Sequence, residues 1–294
     1  MRLAVVIRKN LVIRLADSQR RALKGFDQNQ IETVARHVAD RIASNPRQPL
    51  VAFAQALAEK ATHIPNEFAR NGEQALLDRI SALPARTLWD VGANIGTWSR
   101  HALKVFPTAD LHAFEIVPET FAELRQRLPA DPRISLNPFG LSDRTGTVAV
   151  YLYSSNLISS MFRLERDSSV TKEIACPVER GADYAAARAI AEIDVLKIDV
   201  EGAEGKVLAG FEPMISERRI RLIQFEYNRG ALLGDFLLKH AYAFFTPRGY
   251  RLGKLTPRGV HFHPYDFVHE DFLGPNYIAC QNDDAELIRM IEWT

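Results

Sequence analysis

From Thr87 to Phe245 short apolar runs alternate with helical stretches, and that alternation restricts the possible folds more than any other feature of the chain. Thr87–Val91 reads as a strand carrying an aspartate near its end. Thr97–Phe106 reads as a helix stopped by Pro107. Asp110–Glu115 is a second strand, Pro118–Leu128 a helix with proline suited to its first turn, and Arg133–Leu136 a third strand. Thr147–Tyr153 alternates in polarity after the turn Asp143-Arg144-Thr145-Gly146 and reads as an additional strand. Asp183–Ile193 is expected to be helical, Val195–Asp199 a buried strand, Glu204–Phe211 a short helix, Arg221–Glu226 a strand and Leu232–Phe245 a helix. Apolar strands separated by helices need cover on both faces, so the pattern predicts an α/β fold with a mainly parallel sheet.

The first 82 residues read differently. Ile31, Val34, Ala35, Val38 and Ile42 recur at helical spacing, and Asn45-Pro46 closes that helix because the residue before proline is pushed out of helical geometry. Leu50–Ala61 suggests a second helix, and Phe68, Leu76, Leu77, Ile80 and Leu83 a third. Residues 1–82 are therefore expected to form a helical appendage, used for packing or homo-oligomerisation more readily than as a lid, and residues 83–294 the second domain. The 37 basic and 36 acidic side chains leave no basic excess for nucleic acid. The run Leu3–Ile7 is too short for a signal core, and no later run reaches a spanning length, so no transmembrane segment is expected. Two cysteines, Cys176 and Cys280, are too few for a disulfide framework and point to a reduced, cytoplasmic setting.

In open α/β sheets ligands sit beyond the carboxyl ends of the strands. Asp90, Glu115, Asp199 and Glu226 all fall at such ends. The first strand-to-helix turn, Asp90-Val91-Gly92-Ala93-Asn94-Ile95-Gly96, places Gly92 where the backbone must turn tightly near a ligand, and Gly96 where a helix begins. The helix start then directs free N–H groups at the ligand. Glu115 ends the next strand, where a carboxylate can accept both hydroxyls of a ribose. Nicotinamide dinucleotides satisfy the same logic, although the turn lacks the full G-x-G-x-x-G spacing. The residues alone therefore leave the nucleotide open.

The motifs together resemble the FkbM-type S-adenosylmethionine (SAM) dependent methyltransferases. The resemblance rests on DVGANIG at Asp90–Gly96, Phe114-Glu115 with Pro118, Leu141-Ser142-Asp143 with Gly146, KIDVEGAE at Lys197–Glu204, QFEYN at Gln224–Asn228, and Asn276–Ala279. It covers about residues 86 to 280 in order. One departure is Ile116-Val117, which separates the Phe-Glu pair from its proline. The resemblance implies a class I, Rossmann-like methyltransferase sheet of about seven strands, with SAM as cofactor. It implies methyl transfer to a hydroxyl of a sugar, glycan or small natural product. By the same analogy Asp90, Gly92, Asn94 and Gly96 line the methionine part of SAM, Glu115 holds the ribose, and Leu141, Ser142 and Asp143 lie near the adenine, with Asp143 equally a turn residue.

A hydroxyl is a poor nucleophile until its proton is removed, so a base is expected near the methyl group. Asp199, Glu201 and Glu226 are the candidates, with His261 and His263 as rivals because imidazole titrates near neutrality. Lys197 is expected as an ion-pair partner, and Ser99 equally as a capping or a surface residue. Asp199, Glu226 and Asn228 are also oxygen donors on which Mg²⁺ is an alternative to plain hydrogen bonding. Ser154, Ser155, Ser159 and Ser160 mark a polar loop suited to substrate contact. Tyr227, Phe262, Tyr265 and Phe267 suit either a sugar-stacking wall or the core. Two other functions compete with methyl transfer: a nicotinamide-dependent oxidoreductase on a similar sheet, and a non-catalytic SAM-binding scaffold.

Overall fold

In the computed structural model, residues 67–153, 159–162, 170–272, 274 and 276–293 are described. The chain divides into Met1–His63 and Ile64–Thr294, and every described residue belongs to the second unit. The helical readings at residues 31–42 and 50–61, and the oligomerisation expected of them, lie outside the described residues. Residues 67–82 belong to the sheet-bearing unit, on the far side of the boundary expected at residue 82.

Five strands run parallel: Thr87–Val91 (β1), Asp110–Phe114 (β2), Ile134–Asn137 (β3), Ile193–Ile198 (β8) and Ile220–Glu226 (β9). Three more extend the sheet antiparallel beyond β9: Asn276–Gln281 (β12), Tyr250–Thr256 (β10) and Gly259–Phe262 (β11). The order across the sheet is β11-β10-β12-β9-β8-β1-β2-β3. It is a Rossmann-like sheet with one strand more than expected, supplied by the hairpin partner β11. The order reverses at β1, whose neighbours β2 and β8 lie on opposite sides, so a crevice opens at the carboxyl ends of β1 and β8.

Burial explains why the central strands read as continuous apolar runs. Trp89, Val91, Leu196, Ile198, Ile223 and Phe225 face one core. There they meet Gly181–Ala187 (α4), Glu204–Gly210 (α5), Glu212–Ser216 (α6) and Leu238–Phe245 (α7). Leu88, Val195, Leu222 and Ile278 face the other core, with Glu73–Arg79 (α1), Thr97–Val105 (α2) and Ala285–Ile291 (α8). Between α2 and α8 in sequence, Pro118–Arg127 (α3) adds Leu124 to the same side. Leu76 and Leu77 of α1 are buried there, so α1 is part of this core.

Alternation along the strands also sets a polar row on the α1 side. Asp90 of β1 pairs in register with Lys197 of β8, and Lys197 with Gln224 of β9. All three are buried, where apolar residues would be the default.

Two expectations are corrected. The helix anticipated over Leu232–Phe245 begins only at Leu238; Arg229–Leu232 is a separate 3₁₀ turn, and Asp235 at φ 50° breaks the continuity. The helix expected from Asp183 to Ile193 is α4, and Ile193 instead opens β8. A second sheet was only partly foreseen. Gly140–Ser142 (β4), Gly146–Tyr153 (β5), Ser159–Ser160 (β6) and Val170–Arg180 (β7) form it in the order β4-β7-β5-β6. β5 matches the expected strand. In β7, Cys176 and Val178 alternate inward on either side of Pro177, a residue that strands disfavour.

Replacing Leu77, fully buried in α1, by alanine is expected to cost about 2–5 kcal/mol in urea unfolding of the sheet-bearing unit. A change near zero would place α1 outside the cooperative unit.

Candidate active site

The glycine turn after β1 has little room for side chains. Gly92 sits at φ 79°, and a Cβ there would overlap the carbonyl oxygen of Asp199. The Gly92 and Ala93 amides both donate to the Phe114 carbonyl, at 3.0 and 2.9 Å, and the Asp199 amide donates to the Val91 carbonyl at 2.9 Å. These bonds tie the turn to the ends of both neighbouring strands. Gly96 caps α2 at φ 81°, packed against Leu124. The Asn94 amide donates to Glu115 Oε2 at 2.8 Å, and the Val117 amide to Glu115 Oε1 at 2.9 Å. Each Glu115 oxygen thus holds one backbone amide and keeps acceptor capacity for one more donor.

These elements border a cavity of about 360 Å³, within the range of small-molecule sites. Gly92, Ala93, Asn94 and Glu115 line it from the turn and β2; Ile116, Gly140 and Leu141 from the side of β3; Lys197, Asp199 and Glu201 from β8 and the turn after it. Phe68 and Glu73 line it from the segment before the sheet, and Met161 from beside β6. Neither Glu73 nor Met161 stands out in sequence, because neither belongs to a motif.

The electrostatics are dominated by carboxylates. Asp90 is fully buried and does not line the cavity. Its oxygens accept Ser99 Oγ at 2.6 Å and Lys197 Nζ at 3.2 Å. Asp90 and Ser99 therefore hold Lys197 in place. Lys197 also meets Asp199 at 3.4 Å. Burial works against the Lys197 charge, but Asp90, Asp199 and Glu73 more than offset it and hold the ammonium charged. Burial pushes the Glu115 carboxyl up, opposed by the Val117 and Asn94 amides.

Beyond Asp199 the turn Val200–Ala203 carries Glu201 at φ 54°, a left-handed conformation that costs a non-glycine residue about 1–2 kcal/mol. Glu204 stabilises this turn by accepting the Val200 amide at 3.0 Å and the Gly202 amide at 3.3 Å. Ser160 Oγ donates to the Glu201 carbonyl at 2.8 Å. Oxygens of Asp199, Glu201 and Glu226 converge to within 4.8 Å of one another. Burial first, then repulsion from Asp199 and Glu204, pushes Glu201 up to about 7. Glu204 is raised mainly by burial, and Glu226 well above the carboxylate range by burial and the same neighbours. The buried Oε2 of Glu226 has no hydrogen-bond partner among the described residues.

Several candidates lie elsewhere. Ser142 is buried, donates to Asp143 at 3.0 Å and is not in the cavity lining, nor is Asp143. Leu141, expected with them, does line the cavity, beside Ile116 and Gly140. His263 follows the edge strand β11, five places from β1 across the sheet, and contacts Tyr242 at 3.0 Å and its neighbour's carbonyl. His261, exposed on β11 itself, packs near Trp293. Neither histidine lines the cavity. Asn228 Oδ1 accepts the Gly230 amide at 2.6 Å and caps the 3₁₀ turn, and its side chain also hydrogen-bonds Glu226, so it stands beside the acids, where Glu201 joins Asp199 and Glu226. Tyr227 is in the core, stacked on Phe272, while Phe267 is exposed. Of the serine loop, Ser154 and Ser155 lie outside the described residues.

The carboxyl cluster makes stability depend on pH. Glu201, Glu204 and Glu226 take up protons more readily folded than unfolded, so their contribution is fullest below about pH 4.5; that of Glu201 and Glu204 is lost as pH rises through about 7, and that of Glu226 is lost as it ionises. The thermal midpoint of Glu201→Gln relative to the parent should therefore rise between pH 5 and pH 8 in scanning calorimetry. A constant difference would contradict the cluster.

The family model described as the methyltransferase FkbM domain matches residues 90–252, more than half of the chain. The 31-O-demethyl-FK506 methyltransferase FkbM of Streptomyces tacrolimicus is 31% identical over 158 residues, 44% of this chain and 60% of that protein. The 2-O-methyltransferase NoeI of Sinorhizobium fredii is 24% identical over 240 residues, 77% of this chain and 95% of that protein. The hexuronic acid methyltransferase AglP of Haloferax volcanii is 32% identical over 125 residues, 42% of this chain and 48% of that protein. The matched segment holds the glycine turn, Glu115, Lys197 and the three converging carboxylates, and by it the chain belongs to the FkbM methyltransferase family.

Proposed function

We propose that the protein is a SAM-dependent O-methyltransferase acting on a hydroxyl of a sugar, glycan or small natural product. One observation carries the reading: a ribose-type acceptor, Glu115, and a carboxylate base, Glu201, border the same cavity on either side of the glycine turn. The names of the relatives support the acceptor class, since they include an O-methyltransferase of a natural product and a methyltransferase of a hexuronic acid.

The residues fit SAM in size and charge. The cavity of about 360 Å³ suits a nucleoside with an amino-acid arm. Its walls carry more carboxylates than cations, which favours a ligand with a sulfonium and an ammonium. When bound, SAM supplies an electrophilic methyl group. Glu115 would hold the ribose hydroxyls and the Gly92–Ile95 backbone would flank the arm. Glu201 would take the acceptor's hydroxyl proton as the oxygen attacks; with a pKa raised to about 7 it is partly ionised at neutral pH and basic enough for the task. Burial, then Asp199 and Glu204, keep it in that range. No helix among the described residues is long and apolar enough to cross a membrane. Cys176 and Cys280 are both free and buried, which supports a reducing, cytoplasmic location.

A divalent cation is the second reading, favoured by the convergence of Asp199, Glu201 and Glu226 and by a Glu226 oxygen that no described residue hydrogen-bonds. A cation there would acidify the acceptor hydroxyl in place of a protein base.

In calorimetry S-adenosylhomocysteine should bind and NADH should not; tighter NADH binding would overturn the assignment. With an acceptor identified by transfer from labelled SAM, Glu201→Gln should lower kcat by roughly 10²–10⁴-fold with little change in S-adenosylhomocysteine affinity. An unchanged kcat would remove Glu201 as base. Turnover should survive EDTA, whereas loss restored by Mg²⁺ would establish the cation reading.

A further inference from the structure

Glu73 precedes both the sheet and the matched family segment, yet it lines the cavity. It is 7% exposed. Its Oε1 accepts Asn71 Nδ2 at 2.5 Å and its Oε2 accepts Gln224 Nε2 at 2.6 Å. Each oxygen keeps acceptor capacity for a further donor. A purely structural link between α1 and Gln224 does not require a charge. A neutral amide would make such a link without the desolvation cost of a buried carboxylate.

The order of the sheet says which part of the ligand Glu73 would meet. Glu115 at the end of β2 takes the ribose, and the wall of Ile116, Gly140 and Leu141 lies on the β3 side of it. An extended nucleoside with its ribose on Glu115 and its base toward β3 must send its remaining arm over β1 toward β8 and β9. Lys197 of β8 and Gln224 of β9 are there, and Glu73 is hydrogen-bonded to the latter. The charges at that end do not balance, because among the described residues Lys197 is the one ammonium facing Asp90, Asp199 and Glu73. An arriving ammonium corrects the deficit.

We propose that Glu73 binds the α-ammonium group of the methionine arm, so that a residue outside the matched family segment completes the cofactor site. This inference rests on the SAM reading above. Burial raises the Glu73 carboxyl, with Lys197 opposing, and an incoming cation favours its ionised form.

The test compares two ligands that share the adenosine end. S-adenosylhomocysteine carries the ammonium; 5′-methylthioadenosine does not. By calorimetry, Glu73→Gln should weaken S-adenosylhomocysteine by about tenfold or more, the scale of one charged hydrogen bond, and leave methylthioadenosine within about twofold. Equal loss for both ligands would make Glu73 a structural anchor only, and no loss for either would remove it from the site; both overturn the proposal. Should Glu73→Gln not fold, Glu73→Asp keeps the charge but withdraws it by one methylene, and the same selective loss is expected. If the parent protein bound neither ligand, the SAM reading itself would fail, a result distinct from failure of the Glu73 assignment.

Discussion

The buried ion pair between Asp90 and Lys197 is the interaction on which the site depends. It joins the central strand β1 to β8 at the point where the strand order reverses, with both partners withdrawn from water. A buried pair of this kind contributes little net stability against an apolar alternative, but losing one partner leaves an uncompensated charge that costs about 3–5 kcal/mol. Its value here is positional. Ser99 from α2 fixes Asp90, Asp90 fixes Lys197, and Lys197 sets the field felt by Asp199 and Glu73. The glycine turn has no side chains with which to do this, and its Gly92 must yield space to the Asp199 backbone.

Around this pair the structure separates two tasks. On the β2 side, backbone amides hold Glu115 in one orientation, as a hydrogen-bonding group should be held for recognition. On the β8 and β9 side, Asp199, Glu201 and Glu226 crowd together, and burial with repulsion raises the proton affinity of Glu201 and Glu226. The left-handed backbone at Glu201 is strain located at the group assigned to chemistry, and Glu204 supports it with two amide bonds.

The parts of this arrangement that follow from period and strand ends were legible in the sequence. Asp90, Glu115, Asp199 and Glu226 all lie at or next to the strand ends where they were placed, because buried parallel strands give unambiguous apolar runs. Glu73 was not legible, since a single acid on a short helix reads as a solvated side chain until tertiary packing turns it inward. Ser99 was undecided for the same reason. Asp90 was expected against the ligand but is turned into the protein, since alternation along β1 places it on the α1 face beside Lys197. His263 looked suitable by its chemistry alone; only the sheet order shows that β11 is the far edge. The partner strand of β5 was hidden by Pro177, whose alternating neighbours Cys176 and Val178 carried the signal.

The most direct test of this account is a crystal structure with S-adenosylhomocysteine bound. The account predicts the ribose hydroxyls on Glu115, the adenine against Ile116 and Leu141, and the amino-acid arm crossing β1 toward Lys197 and Glu73. An adenosine placed away from Glu115, or an arm running toward β3, would contradict it.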